Sequence, residues 1–141
     1  MKPTDELTGM LVLVHPELTQ DPANNQGKIG IITGAELEQD DVYVSFGKGE
    51  QALYSTDALL VFKPEKDLYT TIMTDAREAG QEVFKTLFQI NLMQQHGTTS
   101  VMKKAMEMVA DNKILRDLSM DTLENRLANQ LQQQQDQSFS R

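Results

Sequence analysis

The hydrophobic periodicity of this chain changes once, near residue 65, from about two to about 3.6 residues. The first period is that of a pleated strand and the second that of a helix, so the change divides the chain into a strand-forming half and a helix-forming half. Before it, runs rich in Val, Ile, Leu and Tyr are separated by Gly, Pro, Asn and Asp. That texture predicts strands at about 9–15, 28–33, 41–46, 51–55 and 59–63. Pro16 ends the first, 21–25 forms a loop closed by Gly27, and 47–50 reads as a tight hairpin connection.

Beyond residue 65 the helical signals are equally local. Pro64 suits a first helical position, and Glu65 and Asp67 suit the positive end of the helix dipole. Leu68, Ile72, Ala76, Ala79, Val83, Leu87 and Ile90 then form a heptad-like seam, widened by Met73, Phe84 and Phe88. One helix over 66–95 would be about 45 Å long, more than a small barrel can cover. Gly97 supplies a stop, and Thr98, Thr99 and Ser100 offer caps for a second helix carrying Val101, Ala105, Met108 and Val109, with Asn112 at its end. Asp121 and Glu124 have capping-box spacing ahead of Leu123, Leu127 and Leu131, a candidate third helix. The Gln-rich stretch 132–141 has almost no apolar content and is expected to be a disordered tail.

Two strands break the alternation that one buried face requires. Residues 10–14 and 58–62 are apolar on both faces, so something must cover the outside of the sheet there, either the chain's own helices or a partner's.

Composition excludes several chemistries. With no cysteine, the chain has no disulfide, thiolate nucleophile or cysteine zinc site, and a reducing, cytoplasmic location is expected. The segment 1–8 is polar and the apolar run 10–14 is too short for a signal peptide or membrane span, which predicts a soluble chain. Net charge is −8. Residues 1–65 hold four lysines against eleven acidic residues, or −7, whereas 66–141 hold nine basic and ten acidic residues, or −1. A half so acidic repels a phosphate backbone.

The segments Gly27-Lys28-Ile29-Gly30-Ile31-Ile32, Val42-Tyr43-Val44-Ser45-Phe46-Gly47 and Leu59-Leu60-Val61 together resemble the KOW motif and the wider family of SH3-like small barrels. The resemblance covers about residues 9–63. It implies a Gly-x-x-Gly turn into a strand, a hairpin and a closing strand, and contact with RNA, DNA or protein, as in transcription elongation factors and ribosomal proteins. The charge departs from the nucleic-acid-binding members and leaves the protein-binding role standing.

Few residues stand out as candidate sites. With Val42, Val44 and Phe46 pointing inward, a loop over 47–50 pairs Tyr43 with Tyr54 and Val44 with Leu53, giving an exposed tyrosine pair that serves either as a partner-binding anchor or as an ordinary cross-strand pair. Glu36, Glu38, Asp40 and Asp41 form an acidic stretch whose spacing matches no known cation loop and reads as a solvated turn. His15 and His96 lack a ligand partner at helical spacing. Met93, Met102, Met106, Met108 and Met120 crowd the helical half, where core packing is the simpler role and an adaptable binding surface the alternative. No phosphate loop, nucleophile elbow or supported carboxylate pair is present.

The expectation is therefore an α+β protein: an SH3-like five-stranded β-barrel over 1–65, a helical hairpin or three-helix segment over 66–131, and a tail over 132–141. Its expected role is non-enzymatic, a protein-interaction or regulatory module with no catalytic residue, metal or cofactor. The partner is a protein, with homodimer formation through the helices left open. A KOW-type nucleic-acid-associated protein is the alternative.

Overall fold

The apolar runs of the first half form strands where the pattern requires them. A computed structural model describes residues 7–139, and of 132–139 the backbone alone. Strands β1 (Leu11–Val14), β2 (Ile29–Glu36), β3 (Asp41–Gly47), β4 (Glu50–Tyr54) and β5 (Leu59–Phe62) are followed by helices α1 (Glu65–Thr74), α2 (Gln81–His96), α3 (Thr99–Val109) and α4 (Lys113–Ser119). A short strand β6 (Met120–Thr122) and helix α5 (Leu123–Phe139) complete the chain.

The strands make one curled antiparallel sheet in the order β4-β3-β2-β1-β5-β6, a half-barrel with six strands where five were expected. The sixth comes from the helical half. Met120–Thr122 lies along the free edge of β5, with Phe62 opposite Met120 and Leu60 opposite Thr122. Three residues are too few to display a period of two, and an open edge captures them through backbone hydrogen bonds. The helix start beside them is displaced by one residue from the expected capping box: Thr122 Oγ1, not Asp121, accepts the N–H three residues on, from Asn125 at 3.1 Å. Asp121 Oδ1 instead accepts from the Asn125 side chain at 2.9 Å.

The double-faced strands are covered by the chain's own helices. On the inner face Val12, Val14, Leu59 and Val61 pack with Ile32, Val42 and Val44, and Leu123 of α5 closes this core. On the outer face Leu13, Leu60 and Phe62 pack with Leu68 and Ile72 of α1, Leu87 and Ile90 of α2, and Ala105, Met106 and Val109 of α3. Alternation along β1 and β5 thus feeds two separate cores, one on each side of the same strands. Burial of Leu, Ile or Val side chains at about 1.5–3 kcal/mol each makes the two cores the main source of stability.

The long helix is broken. A 3-10 turn spans Ala76–Ala79, and Gly80 takes φ 105° and ψ 162°, so α1 and α2 fold back on one another instead of running straight from 66 to 95. The seam survives as two shorter stripes, with Leu68, Ile72, Ala76, Leu87 and Ile90 all in the helical core. Folding back lets one small sheet bury both stripes, which a rod about 45 Å long could not. Gly97 ends α2 in the left-handed conformation, and Thr98 Oγ1 caps α3 by accepting from Val101 N–H, as the sequence predicts. Asn112 begins a helix instead of ending one: its side chain accepts from Leu115 N–H at the start of α4. Helix α5 runs through Phe139 and so takes in 132–139, expected to be disordered, while residues 140–141 lie outside the described residues.

Candidate functional site

The β3–β4 hairpin does not present two tyrosines. Its turn is the two-residue Lys48-Gly49, both with positive φ, and Gly47 pairs with Glu50 as the closing pair. A bulge at Phe46 then shifts the register by one, so that Val42 faces Tyr54, Tyr43 faces Leu53 and Val44 faces Ala52. A slip of one residue exchanges the faces of a strand. Tyr54 accordingly turns inward and is 6% exposed. Its ring meets Phe46 edge-on at 6.4 Å, and its hydroxyl donates to Asp21 Oδ2 at 2.8 Å. Burial, then that hydrogen bond, pushes the Tyr54 hydroxyl up to about 12. Tyr43 stays half-buried on the outer face beside Leu53. The structure therefore separates the two candidate residues onto opposite faces of the sheet.

The other singled-out groups have structural surroundings. Asp40, left-handed at φ 57°, closes the 3-10 turn Leu37–Gln39, and its Oδ1 accepts from both the N–H (2.9 Å) and the hydroxyl (2.7 Å) of Thr56. The acidic stretch is thereby a clip between two turns. Among the described residues no three acidic, His or Cys side chains stand close enough to hold a metal ion. His15 Nδ1 accepts from Glu17 N–H at 3.1 Å, and His96 is exposed at the C-terminal end of α2. Met106 and Met120 are buried in the helical core, with Met93, Met102 and Met108 packed against it.

A cluster of exposed apolar side chains lies elsewhere, where the start of α1 meets the end of α2. Tyr69 (49% exposed), Phe88 (38%) and Leu92 (48%) line a groove of about 330 Å³ flanked by Glu65, Lys66 and Gln95. Phe84 stacks on Phe88 one turn away at 6.4 Å. Phe88 belongs to the predicted seam, but Tyr69 and Leu92 stand outside it. Each is one residue past a core position, after Leu68 and after the buried Asn91. That off-stripe apolar content is the signal that could have marked the groove.

Side chains from distant helices hold the neighbouring β5–α1 corner. Asn91 Nδ2 donates to the Glu65 carbonyl at 3.0 Å, Gln94 Nε2 to the Lys63 carbonyl at 2.8 Å, and Arg126 Nη1, from α5, to the Phe62 carbonyl at 2.7 Å. Asn91, which lines the groove, thereby ties α2 to the start of α1. Among the described residues no helix is long and apolar enough to cross a membrane. No family model, curated protein or solved structure matches the chain.

Proposed function

We propose that this protein is a non-enzymatic interaction module of the reducing cytoplasm, and that the α1–α2 groove is its contact surface, occupied by a second copy of the chain. The observation that carries the reading is the exposure of Tyr69, Phe88 and Leu92 together, on two packed helices whose inward faces are already buried. Clustered aromatic and aliphatic anchors of this kind mark contact surfaces. Charge selects the occupant. The first 65 residues, at −7, repel a second copy, whereas the helical half, at −1, tolerates one. Glu65 and Lys66 flank the groove with opposite signs, so a two-fold contact that sets Glu65 of one copy against Lys66 of the other pairs opposite charges twice. The same −7 weighs against the KOW-type nucleic-acid reading.

Sedimentation velocity of the full chain at micromolar concentrations tests this. A dimer that becomes monomeric in the double variant F88S/L92E is the expected result. A monomer at every concentration, or a dimer untouched by the double variant, overturns it.

A further inference from the structure

The far side of the β5–α1 corner carries a feature independent of the groove. Arg126 comes from α5 and reaches into the corner, where Nη1 holds the Phe62 carbonyl. Its Nε is buried and has no acceptor among the described residues. Both ion pairs among the described residues belong to Lys113, so among these residues no carboxylate forms an ion pair with the Arg126 guanidinium. Burial pushes its pKa down, and the charge of Asp67 pushes it back up without making contact. A guanidinium in a protein nevertheless stays protonated. A half-buried cation that Asp67 offsets only from a distance is costly to keep, and an arriving anion relieves that cost.

The space beside it fits such an anion. Arg126 lines a cleft of about 350 Å³ whose walls are Met10, Leu11, Phe62, Met102 and Met106. That volume lies within the range of small-molecule sites, which pair apolar walls with a few fixed polar groups. Methionine walls adapt to flexible apolar chains. Arg126 and Lys63 against Glu65 leave the lining one net positive charge, and in a molecule of net charge −8 that favours a head group with a single negative charge over a phosphate.

We infer that this cleft binds a small monocarboxylate with an aliphatic tail, its head on Arg126 and its tail against Met102 and Met106. The carboxylate accepts from the guanidinium in a charge-assisted pair, and the tail replaces water along the methionines.

Isothermal titration calorimetry of the full chain with octanoate provides the test, with octanol, acetate and inorganic phosphate as comparisons. Octanoate is expected to bind, and each comparison to bind about tenfold or more weaker, because head and tail both contribute. R126Q is expected to weaken octanoate by a similar factor. Since R126Q also removes the bond to Phe62, M102W serves as a second variant: it fills the cleft, leaves Arg126 in place, and is expected to abolish binding with an unchanged circular dichroism spectrum. The F88S/L92E double variant is expected to bind octanoate normally, which keeps this result separate from the dimer. No octanoate binding at millimolar concentrations, equal binding of octanol or phosphate, or full binding by M102W overturns the inference.

Discussion

The Tyr54 hydroxyl donates a 2.8 Å hydrogen bond to the carboxylate of Asp21, 33 residues earlier in the loop between β1 and β2. The same carboxylate accepts the backbone N–H groups of Ala23 and Asn25, each at 2.9 Å. One side chain therefore organises the loop and fastens it to the edge strand β4. Burial acts to raise the Asp21 pKa, but the hydrogen bonds from Asn25, Tyr54 and Ala23, with the charge of Lys28, outweigh it and hold the group below its ordinary value.

Both shifts have a definite sign in pH. The Tyr54 hydroxyl, raised to about 12 in the fold, stabilises the protein fully below the ordinary tyrosine value of 10.0, and that contribution is lost as pH rises from there through about 12. Asp21, lowered, contributes above the ordinary carboxylate value of 3.8 and loses that contribution as pH falls through its folded value. Y54F is expected to lower stability by about 1–2 kcal/mol at neutral pH. The urea midpoint of the parent should fall more steeply than that of Y54F above pH 10, and parallel alkaline profiles would sink the assignment.

Gly30 is expected to reject even a methyl group. A Cβ built there lies 2.5 Å from Val44 Cγ1 and 2.9 Å from the Ser45 carbonyl oxygen, because β2 and β3 cross closely at that point. The obstacle includes backbone, which cannot rotate away. G30A should cost about 1–3 kcal/mol, as overpacking does. Thermal unfolding measures this, and a variant as stable as the parent would show that the strands part more easily than their contacts imply.

Local chemistry made much of this fold legible. Pro64, Gly97 and Thr98 act within a few residues of themselves, so the boundaries they set emerge without tertiary knowledge. The two-faced apolar runs in β1 and β5 required a cover, and Leu13, Leu60 and Phe62 receive one from the helices. Other features depend on a single residue acting at a distance. The bulge at Phe46 reversed the orientation of Tyr54 although every flanking residue suits the hairpin. Gly80 interrupted a seam whose spacing continues unbroken across it. β6 exists because β5 has an edge to offer, and three residues carry no periodic signal of that. The groove of Tyr69, Phe88 and Leu92 emerged once the fold showed which faces the core leaves uncovered.

Gly80 itself gives a sharp expectation. Its φ of 105° and ψ of 162° lie in a region that side-chain-bearing residues essentially never occupy. Open space surrounds the position, so a methyl group there meets no neighbour and any cost of G80A is conformational. That cost should be about 1–3 kcal/mol. It should also disturb the groove, because Gly80 sets how α2 returns along α1. Chemical denaturation gives the first quantity, and amide exchange in α1 and α2 the second. Unchanged stability would mean that the α1–α2 connection has another conformation of equal energy.

Asp40 separates a structural acidic stretch from a cation-binding one. Its carboxylate accepts two hydrogen bonds from Thr56, and its backbone is left-handed, a conformation that Asn tolerates and Ala does not. D40N keeps the Oδ1 acceptor and the backbone preference while removing the charge, so it should change stability by less than about 0.5 kcal/mol. D40A loses the acceptor, leaves the Thr56 N–H and hydroxyl without a partner, and strains the turn, at a combined cost of about 2–3 kcal/mol. The order D40A well below D40N, and D40N close to the parent, is the signature of a hydrogen-bonded clip. A D40N variant as unstable as D40A, with calcium raising the melting temperature of the parent alone, would show instead that the charge at this turn has a ligand to hold.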